Sequence, residues 1–77
     1  MDRKPELTEI ESDIHATSES IVADANELQK IEKAKARSLS DDTQLLALAR
    51  KADELGEQIA AKASIELALV KEAAAGS

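Results

Sequence analysis

The sequence predicts an all-α fold, an antiparallel hairpin of two long helices, from three observations. Apolar residues recur every three or four positions on both sides of one polar segment, Ser38-Leu39-Ser40-Asp41-Asp42-Thr43. No stretch shows the two-residue alternation of a half-buried strand. No glycine or proline interrupts residues 6–55. We therefore interpret residues 1–77 as a single domain with helix 1 at about 5–37, a hinge at 38–43 and helix 2 at about 41–75.

Helix 1 is expected to begin at Pro5, because proline is tolerated at a first helical position. Ala25 is expected to face inward, with Asp24 at the edge of the apolar stripe. The alternative is an inward Asp24 that fixes the register of the helices by pairing with Lys51 or another base of helix 2. The predicted stripe comprises Leu7, Ile10, Ile14, Thr17, Ile21, Ala25, Leu28 and Ile31.

Helix 2 is expected to start after Asp41, an N-cap residue followed three positions later by Gln44. Gly76 stands where a glycine C-cap belongs. Gly56 leaves an alternative open, a three-helix bundle with a break at this glycine, since glycine costs about 1 kcal/mol within a helix. A continuous helix is preferred, because the apolar spacing crosses Gly56 in phase. The predicted stripe comprises Leu45, Leu48, Ala52, Leu55, Ile59, Ala63, Leu67 and Val70.

Folding the helices back at the hinge makes facing residue numbers add to roughly 80. The core has no aromatic residue although 43% of the chain is hydrophobic, and small domains without bulky side chains are marginally stable. We therefore expect two hairpins to form a four-helix bundle, or one hairpin to dock on a helical partner. Ile65 and Leu69 are expected to reach across to the second chain. The predicted interface residues are Ile10, Ile14, Ile21, Leu46, Ile59, Ile65, Leu67, Leu69 and Val70.

The net charge of −6 disfavours binding to nucleic acid, and the absence of aromatic residues excludes base stacking. No stretch approaches the roughly 18 apolar residues of a membrane span. Arg3 and Lys4 are not followed by an apolar run and the chain has no cysteine, so the cytoplasm is the expected location.

Residues 6–27 carry seven acidic side chains and no lysine or arginine. An alternative function follows from this excess, that of an acidic inhibitor or adaptor that presents this segment to a basic protein surface. The acidic face comprises Glu6, Glu9, Glu11, Asp13, Glu19, Asp24 and Glu27.

The lone histidine, His15, lies four residues from both Glu11 and Glu19 and forms with them a low-ranked candidate metal site. Carboxylate-bridged metal bundles use Glu-x-x-His, whereas residue 12 is serine, so an exposed histidine beside two acids is preferred. Ser12, Ser18 and Ser20 are interpreted as solvated side chains. No cofactor and no small-molecule substrate is expected, and the leading hypothesis is a non-enzymatic protein–protein interaction module.

Overall fold

The computed structural model describes the backbone of residues 5–76 and the side chains of residues 8–76. Two helices pack side by side: α1 spans Pro5–Arg37 and α2 spans Asp42–Gly76. No strand occurs in the part of the chain described, which confirms the predicted all-α hairpin. Because α2 continues through Gly56, the three-helix alternative is wrong. No glycine between residues 5 and 76 has a positive φ, so Gly76 ends α2 within the helix and not as a left-handed cap.

The chain reverses over four residues, held by local hydrogen bonds. The Ser38 amide donates to the Lys35 carbonyl at 3.0 Å, and the Asp41 amide donates to the Ser38 carbonyl at the same distance. The Asp41 carboxylate then accepts a bond of 3.0 Å from the Gln44 amide. Asp41 is thus the N-cap of α2, as predicted, and satisfies one of the amides that a helix start leaves without a partner.

One series of buried and half-buried positions on each helix alternates strictly between spacings of three and four residues. We call this series the inner stripe and interpret it as the face that each helix turns toward the other. In α1 it comprises Ile10, Ile14, Thr17, Ile21, Asp24, Leu28 and Ile31. In α2 it comprises Leu45, Leu48, Ala52, Leu55, Ile59, Lys62, Glu66, Leu69 and Ala73.

Two parts of the predicted stripes are wrong. Asp24 is half-buried and Ala25 is exposed, the reverse of the preferred prediction. In α2, Ala63, Leu67 and Val70 point outward, and Lys62, Glu66, Leu69 and Ala73 take the inward places. The inward positions follow a 3.5-residue repeat, whereas the apolar pattern of α2 continues past Ile59 with spacings of four residues and so leaves that repeat.

The resulting rod is thin and buries little. Its principal extents are 60 × 17 × 12 Å and its radius of gyration is 17.4 Å, compared with about 11.5 Å for a compact domain of this length. Among the described side chains, Ile31 and Leu55 alone are buried, at 6% and 8% relative exposure. One layer of contact between two helices therefore leaves much apolar surface in water.

Candidate interaction surface

The predicted interface residues divide into two groups in the structure. Five of them lie half-buried on the inner stripe, where α1 and α2 pack on each other: Ile10, Ile14, Ile21, Ile59 and Leu69. Leu69, which was expected to reach a second chain, is thus part of the hairpin's own core. The other four are exposed, at 53% for Leu46, 56% for Ile65, 55% for Leu67 and 45% for Val70.

Three of the exposed side chains belong to a second regular row on α2, which we call the outer stripe. Each member stands one residue after a member of the inner stripe, so the row is turned by about 100° around the helix axis. Seven of its eight positions are uncharged. The outer stripe comprises Leu46, Ala49, Asp53, Gly56, Ala60, Ala63, Leu67 and Val70.

Gly56 lies at the middle of α2 and of the outer stripe. A Cβ atom added at this position would meet no atom within 4 Å, so packing within the hairpin does not require a glycine here. Glycine in a helix interior costs about 1 kcal/mol relative to alanine. The residue therefore lowers the stability of α2 while leaving a shallow site where another backbone can approach closely.

Ile65 and Val22 are exposed apolar residues outside the outer stripe. Ile65 directly precedes Glu66, a member of the inner stripe, so it lies on the opposite flank from Val70. Val22 follows Ile21 on α1 and is 55% exposed. Single exposed apolar side chains are common on protein surfaces, whereas a contiguous row marks a contact surface. We therefore treat the outer stripe as the candidate surface.

An ion pair crosses between the helices on the inner stripe. The Lys62 ammonium donates to the Asp24 carboxylate at 2.6 Å, with side-chain exposures of 31% and 16%. The residue numbers of Asp24 and Lys62 add to 86, whereas the numbers of facing residues were predicted to add to roughly 80. Part of this difference has a geometric reason. Side chains lean toward the N-terminus of their own helix. In antiparallel helices, Asp24 and Lys62 therefore lean toward each other.

The base of α2 that pairs with Asp24 is Lys62 and not Lys51, so the alternative prediction of an inward Asp24 paired with a base of helix 2 is confirmed. A half-buried charge is tolerated when a partner satisfies it, and in some helical proteins such a pair specifies register at a cost in stability. Leu and Ile positions can slide past each other at modest cost, but an offset that separates Asp24 from Lys62 leaves a charge without its partner.

The residues of the predicted acidic face are not all exposed on α1. Asp24 is turned inward and Glu11 is half-buried, while Glu9, Asp13, Glu19 and Glu27 are exposed. The side chain of Glu6 lies outside the described residues. Of the predicted acidic residues whose side chains are described, four are therefore solvent-exposed carboxylates, and they are spread along α1 from residue 9 to residue 27.

The three residues of the candidate metal site do not form one. His15 Nε2 lies 2.9 Å from Glu19 Oε1, with both side chains at least 70% exposed, and Glu11 is half-buried. Among the residues described, no group of three or more His, Cys, Asp or Glu side chains is arranged to hold a metal ion. His15 and Glu19 are a surface pair one helical turn apart.

The hydroxyl groups of α1 are placed as helix-surface groups. Thr17 is half-buried, and its hydroxyl donates to the Asp13 carbonyl at 2.7 Å, one turn earlier. Ser12 and Ser18 are exposed and Ser20 is half-buried. Across the described residues the surface has no pocket, and neither helix carries an apolar run sufficient to cross a bilayer.

No family model, no curated protein and no solved structure matches the chain.

Sequence reasoning named Leu46, Leu67 and Val70 but missed the row that joins them. The signal was present: spacings of 3, 4, 3, 4, 3, 4 and 3 run from Leu46 to Val70. It is hidden because Leu67 and Val70 also continue the predicted apolar stripe of helix 2. Only the placement of Lys62 and Glu66 toward α1 separates the two rows.

Proposed function

We propose that this chain is a non-enzymatic protein–protein interaction module, which self-associates or docks on a helical partner through the outer stripe of α2. The observation that carries the proposal is the position of Leu46, Leu67 and Val70, each about half exposed on one side of a hairpin in which two of the described side chains are buried. Water-exposed apolar area of this kind lowers the free energy of association when it is covered.

The reactive side chains support a module without catalysis. His15 is engaged by Glu19 on an open helix surface, and the Thr17 hydroxyl is bonded to the backbone of its own helix. A catalytic base and nucleophile need each other and an enclosed site. A reducing compartment such as the cytoplasm suits the cysteine-free chain.

The test is the mass of the full chain in solution, measured by sedimentation equilibrium over a wide concentration range. We expect the wild-type mass to rise above 8.2 kDa with concentration. The double variant Leu67→Glu, Val70→Glu should remain a folded monomer, because two carboxylates on the outer stripe must lose hydration on association. Circular dichroism checks that the variant keeps its helices.

The matched control is Ala61→Glu, Ala68→Glu. These two alanines are exposed on α2 but lie outside the outer stripe, and the change in net charge is the same. The control should associate like the wild type. Association that survives unchanged in the Leu67, Val70 variant shows that the outer stripe is not the contact surface. A wild-type chain that neither self-associates nor binds a helical partner contradicts the proposal as a whole.

A second candidate function, the acidic adaptor, draws on Glu9, Asp13, Glu19 and Glu27, which are exposed along α1 with no lysine or arginine among residues 6–27. Binding of this kind should weaken steeply as salt is raised, whereas apolar docking should not. Titrating a basic partner at low and high ionic strength separates the two functions. Equal affinity at low and high ionic strength would contradict the acidic-adaptor function.

A further inference from the structure

We propose that a second copy of this chain covers the outer stripe, with α2 packed antiparallel on α2 of that copy about a two-fold axis and the closest approach at Gly56 and Ala60. This inference rests on the proposed function and names its partner. Three independent features of the chain support it: the exposed area, the pattern of side-chain sizes and the distribution of charge.

The chain exposes more surface than a compact monomer of its mass would. The chain exposes 5737 Å², whereas a compact monomer of this mass exposes about 4,500 Å². The excess of about 1,200 Å² per chain exceeds the roughly 600–1,000 Å² that each partner contributes to a standard interface. A second copy therefore needs to cover only part of the excess.

The side-chain sizes are self-complementary at one antiparallel offset. When facing residue numbers add to 116, each member of the outer stripe meets another member: Leu46 meets Val70, Ala49 meets Leu67, Asp53 meets Ala63 and Gly56 meets Ala60. Large residues lie at the two ends and small residues at the centre. A two-fold axis repeats every pair, as a closed homodimer requires.

The centre of this antiparallel contact provides a structural reason for a glycine at position 56. Gly56 would lie opposite Ala60 of the second copy, and Ala60 opposite its Gly56, so that the two backbones approach closely around the axis. The space beyond Gly56 is open in the hairpin, and the second copy fills it. Asp53 is the one charged member of the outer stripe, and at this offset it faces Ala63. A different offset that brought the two Asp53 side chains together would place like charges in contact.

Charge selects the antiparallel direction. We define the hinge end as residues 28–55 and the open end as residues 6–27 with 56–76. The hinge end carries six basic and five acidic side chains, and the open end carries two basic and ten acidic. A parallel dimer places net charges of −8 beside each other, whereas an antiparallel dimer places the −8 of each open end beside the +1 of a hinge end.

The geometry is tested by cross-linking, for which the absence of cysteine from the chain is an advantage. Two single variants of the full chain are made, Leu46→Cys and Val70→Cys, and are treated with a short bis-maleimide separately and as an equimolar mixture. The antiparallel dimer brings residue 46 of one copy to residue 70 of the other. We expect efficient cross-linking in the mixture and little in either variant alone.

Cross-linking of Leu46→Cys to itself, at the expense of the mixture, would overturn the antiparallel geometry. It would leave the proposed function intact, because association through the outer stripe would still occur. A chain that stays monomeric and instead holds a helix of a different protein on the outer stripe overturns the second copy as the occupant. The sedimentation experiment with Leu67→Glu, Val70→Glu tests the function separately.

The close approach is tested by a pair of neighbouring substitutions, Ala60→Gln and Ala61→Gln. Both alanines are exposed in the hairpin, and glutamine is a good helix former. Because Ala60 lies at the crossing, its glutamine variant should raise the dimer dissociation constant about 10- to 100-fold, the range expected from overpacking. Ala61→Gln should leave the constant within about twofold. Equal constants for the two variants overturn the close approach at Gly56 and Ala60.

Discussion

The hinge end and the open end of the hairpin differ in what faces inward. Six apolar side chains of the hinge end lie on the inner stripe: Leu28, Ile31, Leu45, Leu48, Ala52 and Leu55. At the open end, polar or charged side chains hold four of the inward places: Thr17, Asp24, Lys62 and Glu66. In α2 of the same end, Ile65, Leu67 and Val70 are exposed.

The two ends are therefore held together differently. Among the described side chains, the hinge end holds both that are buried, and it has a satisfied N-cap, so it supplies the local contacts that close the hairpin. The open end has an ion pair on its inner stripe and carries Ile65, Leu67 and Val70 outward. It forgoes intramolecular burial, which is favourable by about 25 cal/mol per Å² of apolar surface, and we propose that a second chain covers this surface.

Among the variants that test this difference between the two ends, truncation of a buried side chain at the hinge end is expected to change the free energy of unfolding most. Leu55→Ala should lower the free energy of unfolding by about 2–5 kcal/mol, because a buried leucine loses its contacts. In a domain of marginal stability, this loss unfolds a large fraction of the chains. Urea denaturation followed by circular dichroism measures it, at a concentration where the chain is monomeric.

Leu67→Ala at the open end is the matched comparison. Because Leu67 is 55% exposed, the same truncation should change monomer stability by no more than about 0.5 kcal/mol. Similar losses for the two leucines would mean that the ends do not differ in the way described.

The second-largest effect on the free energy of unfolding is expected when the ion pair of the open end is replaced by apolar residues, as on the inner stripe of the hinge end. Replacing the ion pair by Asp24→Leu, Lys62→Leu should raise the free energy of unfolding by about 1–4 kcal/mol, since two charges no longer lose hydration. Asp24→Ala alone should lower it by about 1–3 kcal/mol, because Lys62 is left without its partner. Thermal and urea unfolding of the three chains measure these changes.

The register is expected to become less specific in the double variant. Distances between spin labels on the two helices would then spread, while the wild type gives one narrow distribution. A destabilised double variant would show that the pair is a net source of stability and not mainly a determinant of register.

The smallest effect is expected at the turn. Asp41→Ala should lower the free energy of unfolding by about 1 kcal/mol, because the Gln44 amide loses its acceptor. Asp41→Asn keeps a side-chain oxygen at the N-cap and should be nearly neutral. Urea midpoints of the three chains decide the outcome, and equal losses in both variants would assign the effect to the charge of Asp41 instead of to its hydrogen bond.

Much of the fold was predictable because it depends on local rules. Three features act within one or two helical turns: Pro5, the cap at Asp41 and the unbroken apolar spacing. Each can therefore be recognised in the sequence alone. The continuity of α2 through Gly56 was predictable for the same reason, since one glycine lowers helix stability by about 1 kcal/mol and does not end a long helix.

The candidate surface was predicted only in part. The apolar pattern predicts association through Leu46, Leu67 and Val70, but it also predicts that Leu67 and Val70 face α1. The error began at Ala63, where the apolar pattern of α2 continues with two spacings of four residues and leaves the 3.5-residue repeat. Hydrophobicity alone favours Ala63 over Lys62 as an inward residue, and Asp24 lies too far away in sequence to reveal the pair.

The sequence by itself determined two helices, the turn between them and the shortage of apolar bulk, since each follows from residue type and spacing along one helix. Only the tertiary structure decided which of two apolar rows on α2 faces α1. That choice depends on which residues of α1 each position of α2 meets and on an ion pair between residues 38 positions apart. Both are properties of the pair of helices, and neither helix carries them alone.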